Sequence, residues 1–326
     1  MRFAAEILLL GLMASAPVRV GPGSTAEFAT AAEGARLLGT RDVFVGAMSA
    51  FDRQARLKTD REVSEEEYLS FVARQTRDWT EAETDALRAI LERFRALTAN
   101  LDLALPAAVH FVKTTGEEEG RAAYCRDSAV ILPANVIGGD PAELEKTVFH
   151  ELFHIYSRHH LEKRPALYRI LGFEVYPEIA LPKSLRPRKI TNPDAPLIDS
   201  VIRVRVGPEG QRRPVTPVLL ATTEHYDVKR GGEFFDSMEF RLLVLDERDG
   251  QFAFAPSADG RPRLLEPGAV PDYLEQIGRN TRYIIHPEEI LADNFVLLIR
   301  PSGPPPTPGI LDRLRTILTA PTPHPQ

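Results

Sequence analysis

The apolar positions of this chain fall into three stretches with different periods. From about residue 25 to residue 100 they recur at helical spacing. Ser64 followed by Glu67 has the form of a helix start in which a hydroxyl and a carboxylate cap each other's backbone N–H groups. Thr80 and Glu83 repeat that signal, and Leu87, Ile90, Leu91, Phe94 and Leu97 then mark one face of the helix that follows. Trp79 and the Phe51-Asp52-Arg53 stretch are expected to anchor this region on its neighbour, the usual fate of large aromatic side chains.

From residue 107 the period changes. Ala108-Val109-His110-Phe111-Val112 and Ala129-Val130-Ile131-Leu132 are short apolar runs between polar and glycine residues, which predicts two strands. His110 is expected to be a half-buried strand residue. Asp140 and Pro141 suit the cap and first position of a further helix. The acidic run Glu117-Glu118-Glu119 between these elements is expected to be a solvated loop, with calcium as a weaker reading. Past residue 165 the chain is rich in proline and β-formers. Residues 201–206 and 240–245 read as strands, and prolines 177, 182, 187, 193, 196, 208, 214 and 217 read as loop punctuation. Helices are predicted over 287–298 and 310–318, with extended proline-rich segments over 301–308 and 321–326.

Composition narrows the class. The 326 residues carry a formal net charge of −6, with 43% hydrophobic and 26% charged residues. That balance fits a globular protein and argues against a general nucleic-acid binder, because phosphate contact requires a basic surface. No apolar run reaches the roughly 20 residues of a bilayer span, so no integral membrane segment is expected in the mature chain. Met1-Arg2, the apolar Ile7-Leu8-Leu9-Leu10-Gly11-Leu12-Met13 and Ala14-Ser15-Ala16 resemble a secretory signal ending in an Ala-x-Ala site, although Glu6 and Pro17 fit that pattern poorly. The expectation is a secreted or periplasmic protein, or a cytoplasmic one if the segment is an ordinary amphipathic helix. Cys125 is the sole cysteine, so no intrachain disulfide can form, and it is expected to be a small buried hydrophobe.

The chemistry concentrates in His150-Glu151-Leu152-Phe153-His154. Histidines four residues apart project from one face of a helix and can reach one zinc ion. Glu151, about 100° further round, can hold a water there and take its proton. The flanking Thr147, Val148, Phe149, Ile155 and Tyr156 make this helix largely apolar on all sides, hence buried. Polar side chains inside it therefore require partners, and a metal is the simplest. A third ligand is needed, for which the residues leave two candidates. His160 follows six residues after His154, and a downstream segment carries Glu288, Glu289 and Asp293.

The motif helix resembles that of the zincin superfamily of metallopeptidases, with its uncharged residues around HExxH. The segment Glu289-x-x-Ala292-Asp293 looks like the second motif of the gluzincins. The resemblance also extends to uncharacterised bacterial gluzincin-like proteins with a strand pair before the motif helix, and it covers about residues 107–160 and 283–298. It implies Glu289 as third ligand, Asp293 as the carboxylate orienting a ligand histidine, and one zinc ion per chain. His160 would instead suit the metzincin pattern, but Ser157 stands where that pattern has its turning glycine. A peptidase of this kind also uses a Tyr or His to stabilise the oxyanion, and His225, Tyr226 and Tyr283 are the candidates. Glu288 is expected only to stabilise the start of its helix.

The expectation is an α+β fold: a signal-like segment (1–16), a helical amino-terminal region (17–100), a zincin-like catalytic domain (101–300) that is β-rich and proline-rich in its downstream part, and a proline-rich tail with a short helix (301–326). The expected activity is zinc-dependent peptide hydrolysis with Glu151 as general base, on a peptide or protein substrate that pairs with a strand edge near residues 129–132. The rivals are a zincin-like domain that binds without catalysis, and a structural zinc protein, which would need a fourth protein ligand.

Overall fold

The computed structural model describes residues 18–207 and 210–320; the signal-like segment and residues 321–326 lie outside the described residues. The fold mixes helices with two six-stranded sheets. The first sheet contains β1 (Val18–Gly21), β2 (Ser24–Phe28), β3 (Thr76–Arg77), β4 (Ala108–Thr114), β5 (Tyr124–Arg126) and β6 (Ala129–Pro133). Its order is β1-β2-β4-β6-β5, with β3 paired to β4. The pairs β2–β4 and β4–β6 are parallel, and the others are antiparallel.

Helices cover this sheet on both faces, so β4 and β6 bury apolar side chains on both sides. Val109, Phe111, Val130 and Leu132 face a core shared with the helix Glu81–Leu97 and the motif helix Pro141–His159. Val112, Ala129 and Ile131 face the opposite way, against Leu38, Phe44, Tyr68 and Val72 from three shorter helices. The amino-terminal region is therefore not helical throughout. β1 and β2 belong to the same sheet as β4, and strands of four and five residues are too short to show a period.

The second sheet is antiparallel and follows the chain: β7 (Phe173–Val175), β8 (Ser200–Val206), β9 (Gln211–Ala221), β10 (Met238–Arg248) and β11 (Gln251–Phe254), with β12 (Leu264–Leu265) beside β10. Pro214 and Pro217, read above as loop residues, lie inside β9. The pairing explains how β9 tolerates them. β9 pairs with β8 over 211–215 and with β10 over 215–221, so each proline sits in a half-strand with only one ladder to feed.

The helix Pro287–Ile299 packs on the motif helix through Phe295 and Phe153, whose ring centroids are 5.3 Å apart. Phe94 stands 5.4 Å from Phe149. Glu145 ties the three helices together, with Arg93 3.0 Å and Arg300 2.8 Å from its carboxylate. The last helix, Pro308–Thr319, buries Ile310, Leu314 and Leu318 in the same core.

Two local expectations are overturned. Glu117–Glu119 is a short 3-10 turn in which Glu118 and Glu119 are buried, not a solvated loop. The Tyr124 hydroxyl donates to Glu118 at 3.4 Å, and Arg56 donates to Glu119 and to Asp52 inside the protein. Burial pushes the Glu119 carboxyl up to about 7 in spite of that partner. In addition, β6 is flanked on both sides by β4 and β5, so residues 129–132 offer no free edge. The edge strand on this side of the sheet is β5.

Candidate metal centre

The motif helix starts where its capping residue predicts. The Asp140 carboxylate accepts from the N–H groups of Ala142 and Glu143, and Pro141 occupies the first turn. His150 and His154 follow one turn apart on one face, with ring centroids 4.6 Å apart. The facing helix begins at Pro287 and is capped by His286, whose Nδ1 accepts from the Glu288 N–H at 3.2 Å. Burial holds the His286 pKa down at about 4, which keeps that nitrogen an acceptor.

These two helix segments bring three ligand atoms together. Glu289 Oε2 lies 3.1 Å from His150 Nε2 and 3.4 Å from His154 Nε2. In a tetrahedral site with metal–ligand bonds of about 2.0–2.1 Å, neighbouring ligand atoms stand about 3.3–3.4 Å apart. The spacing could therefore hold an ion of that size. His154 Nε2 is fully buried and, despite that 3.4 Å approach, has no hydrogen bond. A buried unpartnered nitrogen is costly, and a cation at the centre of the three atoms would satisfy it.

Each histidine has a carboxylate behind it. His150 Nδ1 is 3.0 Å from Asp293 Oδ1, and Thr281 Oγ1 donates to the other oxygen of Asp293. His154 Nδ1 is 3.4 Å from Glu288 Oε1, whose partner oxygen accepts from Ser157 Oγ at 3.0 Å and Tyr168 Oη at 2.9 Å. Glu288 thus does more than stabilise a helix start. It is buried and engages His154, a role invisible in sequence because Tyr168 and Ser157 reach it only in the fold. Adjacent residues on one helix turn serve different faces of the cluster.

The electrostatics favour a cation. Five carboxyl groups, from Glu151, Asp194, Glu288, Glu289 and Asp293, surround two imidazoles. Burial would lower the His150 pKa, but its hydrogen bonds to Asp293 and Glu289 outweigh that and push it up to about 9. His154 is raised well above the usual range against the same burial, chiefly by Asp194 and Glu289. Glu289 is held well below the usual carboxylate range despite burial, because both histidines attract its charge.

Glu151 is buried and accepts from the Cys125 thiol, Sγ to Oε2 3.1 Å. Burial and the neighbouring Glu151 charge raise the Cys125 pKa far above its ordinary value, so the thiol keeps its proton. Cys125 is buried, and its contact with Glu151 gives it a polar role beyond packing. Asp194 is the second residue that sequence reasoning missed. Its carboxylate approaches Glu151 and Cys125, with one oxygen or sulfur of each within 4.8 Å of the others. Burial raises the Asp194 pKa, with His154 opposing and Glu151 adding to the rise. Only its place in a proline-bounded polar loop marked it in the sequence, and that is no signal of chemistry.

A cavity of about 480 Å³ opens in front of the cluster, lined by His150, Glu151, Asp194, Tyr283 and Glu289 among others. Tyr283 stacks near His150, ring centroids 6.2 Å apart. The other two oxyanion candidates lie elsewhere. The Tyr226 hydroxyl donates to Gly232 O at 2.8 Å, and His225 sits beside Gln54. His160 points away from the cluster, its ring nitrogens 2.8 Å from Glu162 and 2.6 Å from Ala104 O. A larger groove of about 990 Å³, lined by Phe28, Val43, His110 and Arg126, contains none of the cluster residues. His110 is a half-buried residue of β4, 3.2 Å from Glu27.

Comparison with protein-family models, curated proteins and solved structures finds no match to this chain. Any assignment of function therefore rests on the side chains themselves. Among the described residues, no helix is long and apolar enough to cross a membrane.

Proposed function

We propose that the protein is a zinc-dependent hydrolase of the gluzincin type, most simply a peptidase, with His150, His154 and Glu289 as metal ligands. The observation that carries this reading is the convergence of His150 Nε2 and Glu289 Oε2 beside the unpartnered His154 Nε2 at tetrahedral spacing. A zinc ion there would supply Lewis-acid activation. The remaining chemistry belongs to the chain.

Glu151, one position after His150 and facing the same cavity, takes the proton of the attacking water and later delivers it to the leaving amine. Asp293 and Glu288 fix the ring orientation of the two histidines and favour the tautomer that leaves Nε2 free. Tyr283 is the candidate best placed to donate to the developing oxyanion. Export, proposed on residues 1–16, would put the substrate outside the cytoplasm.

The test couples metal content to turnover. The purified full chain should hold about one zinc per molecule by mass spectrometry. Glu151→Gln should retain that zinc while lowering peptide-library cleavage by orders of magnitude, since it removes the base and spares the ligands. A chain that takes up no zinc from a buffered supply would end the reading.

A further inference from the structure

The segment 191–196, Thr191-Asn192-Pro193-Asp194-Ala195-Pro196, reaches the cavity in front of Glu151 through Asp194. β5 is the edge strand on this side, and its middle residue is the one whose N–H faces away from β6. That N–H, of Cys125, donates to Asp194 Oδ1 at 2.9 Å. An extended substrate adding to this edge would need the same donor. The Asp194 carboxylate meanwhile stands beside Glu151 and lines the cavity that a scissile bond would have to enter. A carboxyl group in that place takes up the space that an attacking water and a substrate carbonyl would need.

The segment is tied down along its length. Thr191 donates to Asp52 through its N–H at 3.1 Å and its hydroxyl at 2.8 Å, and Arg56 Nη2 donates to Thr191 O at 3.3 Å. Asn192 Nδ2 donates to Glu289 Oε1 at 2.5 Å, and the Asn192 side-chain oxygen accepts from the Asp194 N–H at 3.0 Å. Arg158 donates to Pro193 O at 3.2 Å, and Lys189 Nζ to Pro196 O at 2.9 Å. Two prolines restrict the backbone between these ties. A segment held this way covers the site without forming part of either helix that builds it.

The geometry points to an internal inhibitor: segment 191–196 is a strap that fills the substrate edge of β5, with Asp194 standing in the place of water and substrate in front of Glu151. The inference rests on the reading of His150, His154 and Glu289 as a zinc site for the claim of inhibition, and on the protein contacts alone for the claim of covering. The strap restricts access to the site in the isolated chain, and its displacement raises activity.

The test uses the full chain and Asp194→Ala, with Asp194→Asn as a near-isosteric second variant that keeps an acceptor for the Cys125 N–H. Thermal melts confirm that each variant is folded. Cys125 is the only cysteine, so its alkylation rate reports directly on the covering, with or without metal. Labelling should be at least about tenfold faster in Asp194→Ala than in the parent, with Asp194→Asn between them. With zinc supplied, a small peptide hydroxamate should bind Asp194→Ala at least about tenfold more tightly at unchanged zinc content. Equal hydroxamate affinity and equal labelling in parent and variants would overturn the strap. Zinc lost from Asp194→Ala with labelling unchanged would also overturn it, making Asp194 a fourth ligand. If neither protein takes up zinc, the hydrolase reading fails, while the labelling rates still decide whether the strap covers Glu151.

Discussion

The motif helix and the segment 191–196 meet at one cavity, and they are held in place by opposite kinds of force. The helix is specified locally. Asp140 caps it, apolar residues surround the motif on all sides, and the i, i+4 relation alone puts His150 beside His154. The segment has no regular structure, and its shape is imposed by residues far along the chain: Asp52, Arg56, Cys125, Arg158 and Glu289. One side of the site is thus built to be rigid, and the other to be held only while its long-range partners hold it. That difference is what the proposed catalytic scaffold and its proposed cover would require of the same cavity.

The largest effect is expected where the cover is rooted. Arg56 is fully buried between Asp52 and Glu119. Arg56→Met leaves both carboxylates without their cation, and stripping one partner from a buried ion cluster costs about 3–5 kcal/mol. Urea denaturation should show that loss. A change below about 1 kcal/mol would mean that the ionic root is dispensable and that the segment does not depend on its long-range partners.

Next comes the ligand set. Glu289→Gln should weaken zinc binding about 100- to 1,000-fold, beyond the 10–100-fold typical of losing a residue that merely orients a ligand. Glu288→Gln and Asp293→Ala should each fall within that smaller range, since Glu288 engages His154 as Asp293 engages His150. Competition with a chelating dye measures all three. If Glu288→Gln binds zinc like the parent, its contacts to Ser157 and Tyr168 are structural only.

The contrast also explains what could be read from sequence. The motif helix and the helix Glu81–Leu97 carried capping and spacing signals, and both are helices in the fold; Glu289 and Asp293 were singled out by resemblance, and the fold sets both beside His150. β9 was missed because Pro214 and Pro217 read as breakers, and only its divided pairing makes them tolerable. Glu119 read as solvated because its partner Arg56 lies some sixty residues away in sequence. Asp194, Asn192 and Glu288 were illegible as site residues for one shared reason. Each acquires its role from a neighbour supplied by tertiary structure, and no local pattern announces such a neighbour. Tyr283 was one of three equal candidates until the fold placed Tyr226 and His225 apart from the cavity.

The smallest expected effect is graded with pH and separates the proton from the metal. The His150 pKa is pushed up to about 9 by Asp293 and Glu289 working against burial, so at neutral pH the metal-free protein carries a proton there. A metal needs the Nε2 lone pair, so binding must expel that proton. Zinc affinity should accordingly rise with pH by up to about tenfold per unit for each proton displaced, levelling off for His150 near pH 9. Stability of the metal-free protein runs the other way. A histidine whose pKa is raised on folding stabilises fully below its unfolded value of about 6.5, and that contribution is lost as pH climbs through the folded value. The metal-free protein should therefore lose thermal stability between about pH 6.5 and 9, while zinc affinity increases across the same window. Calorimetric titration in two buffers of different ionisation enthalpy would count the protons released. A pH-independent affinity with no proton release would show that the two helices do not share His150 between a proton and a metal, and would remove the electrostatic basis for pairing them as one site.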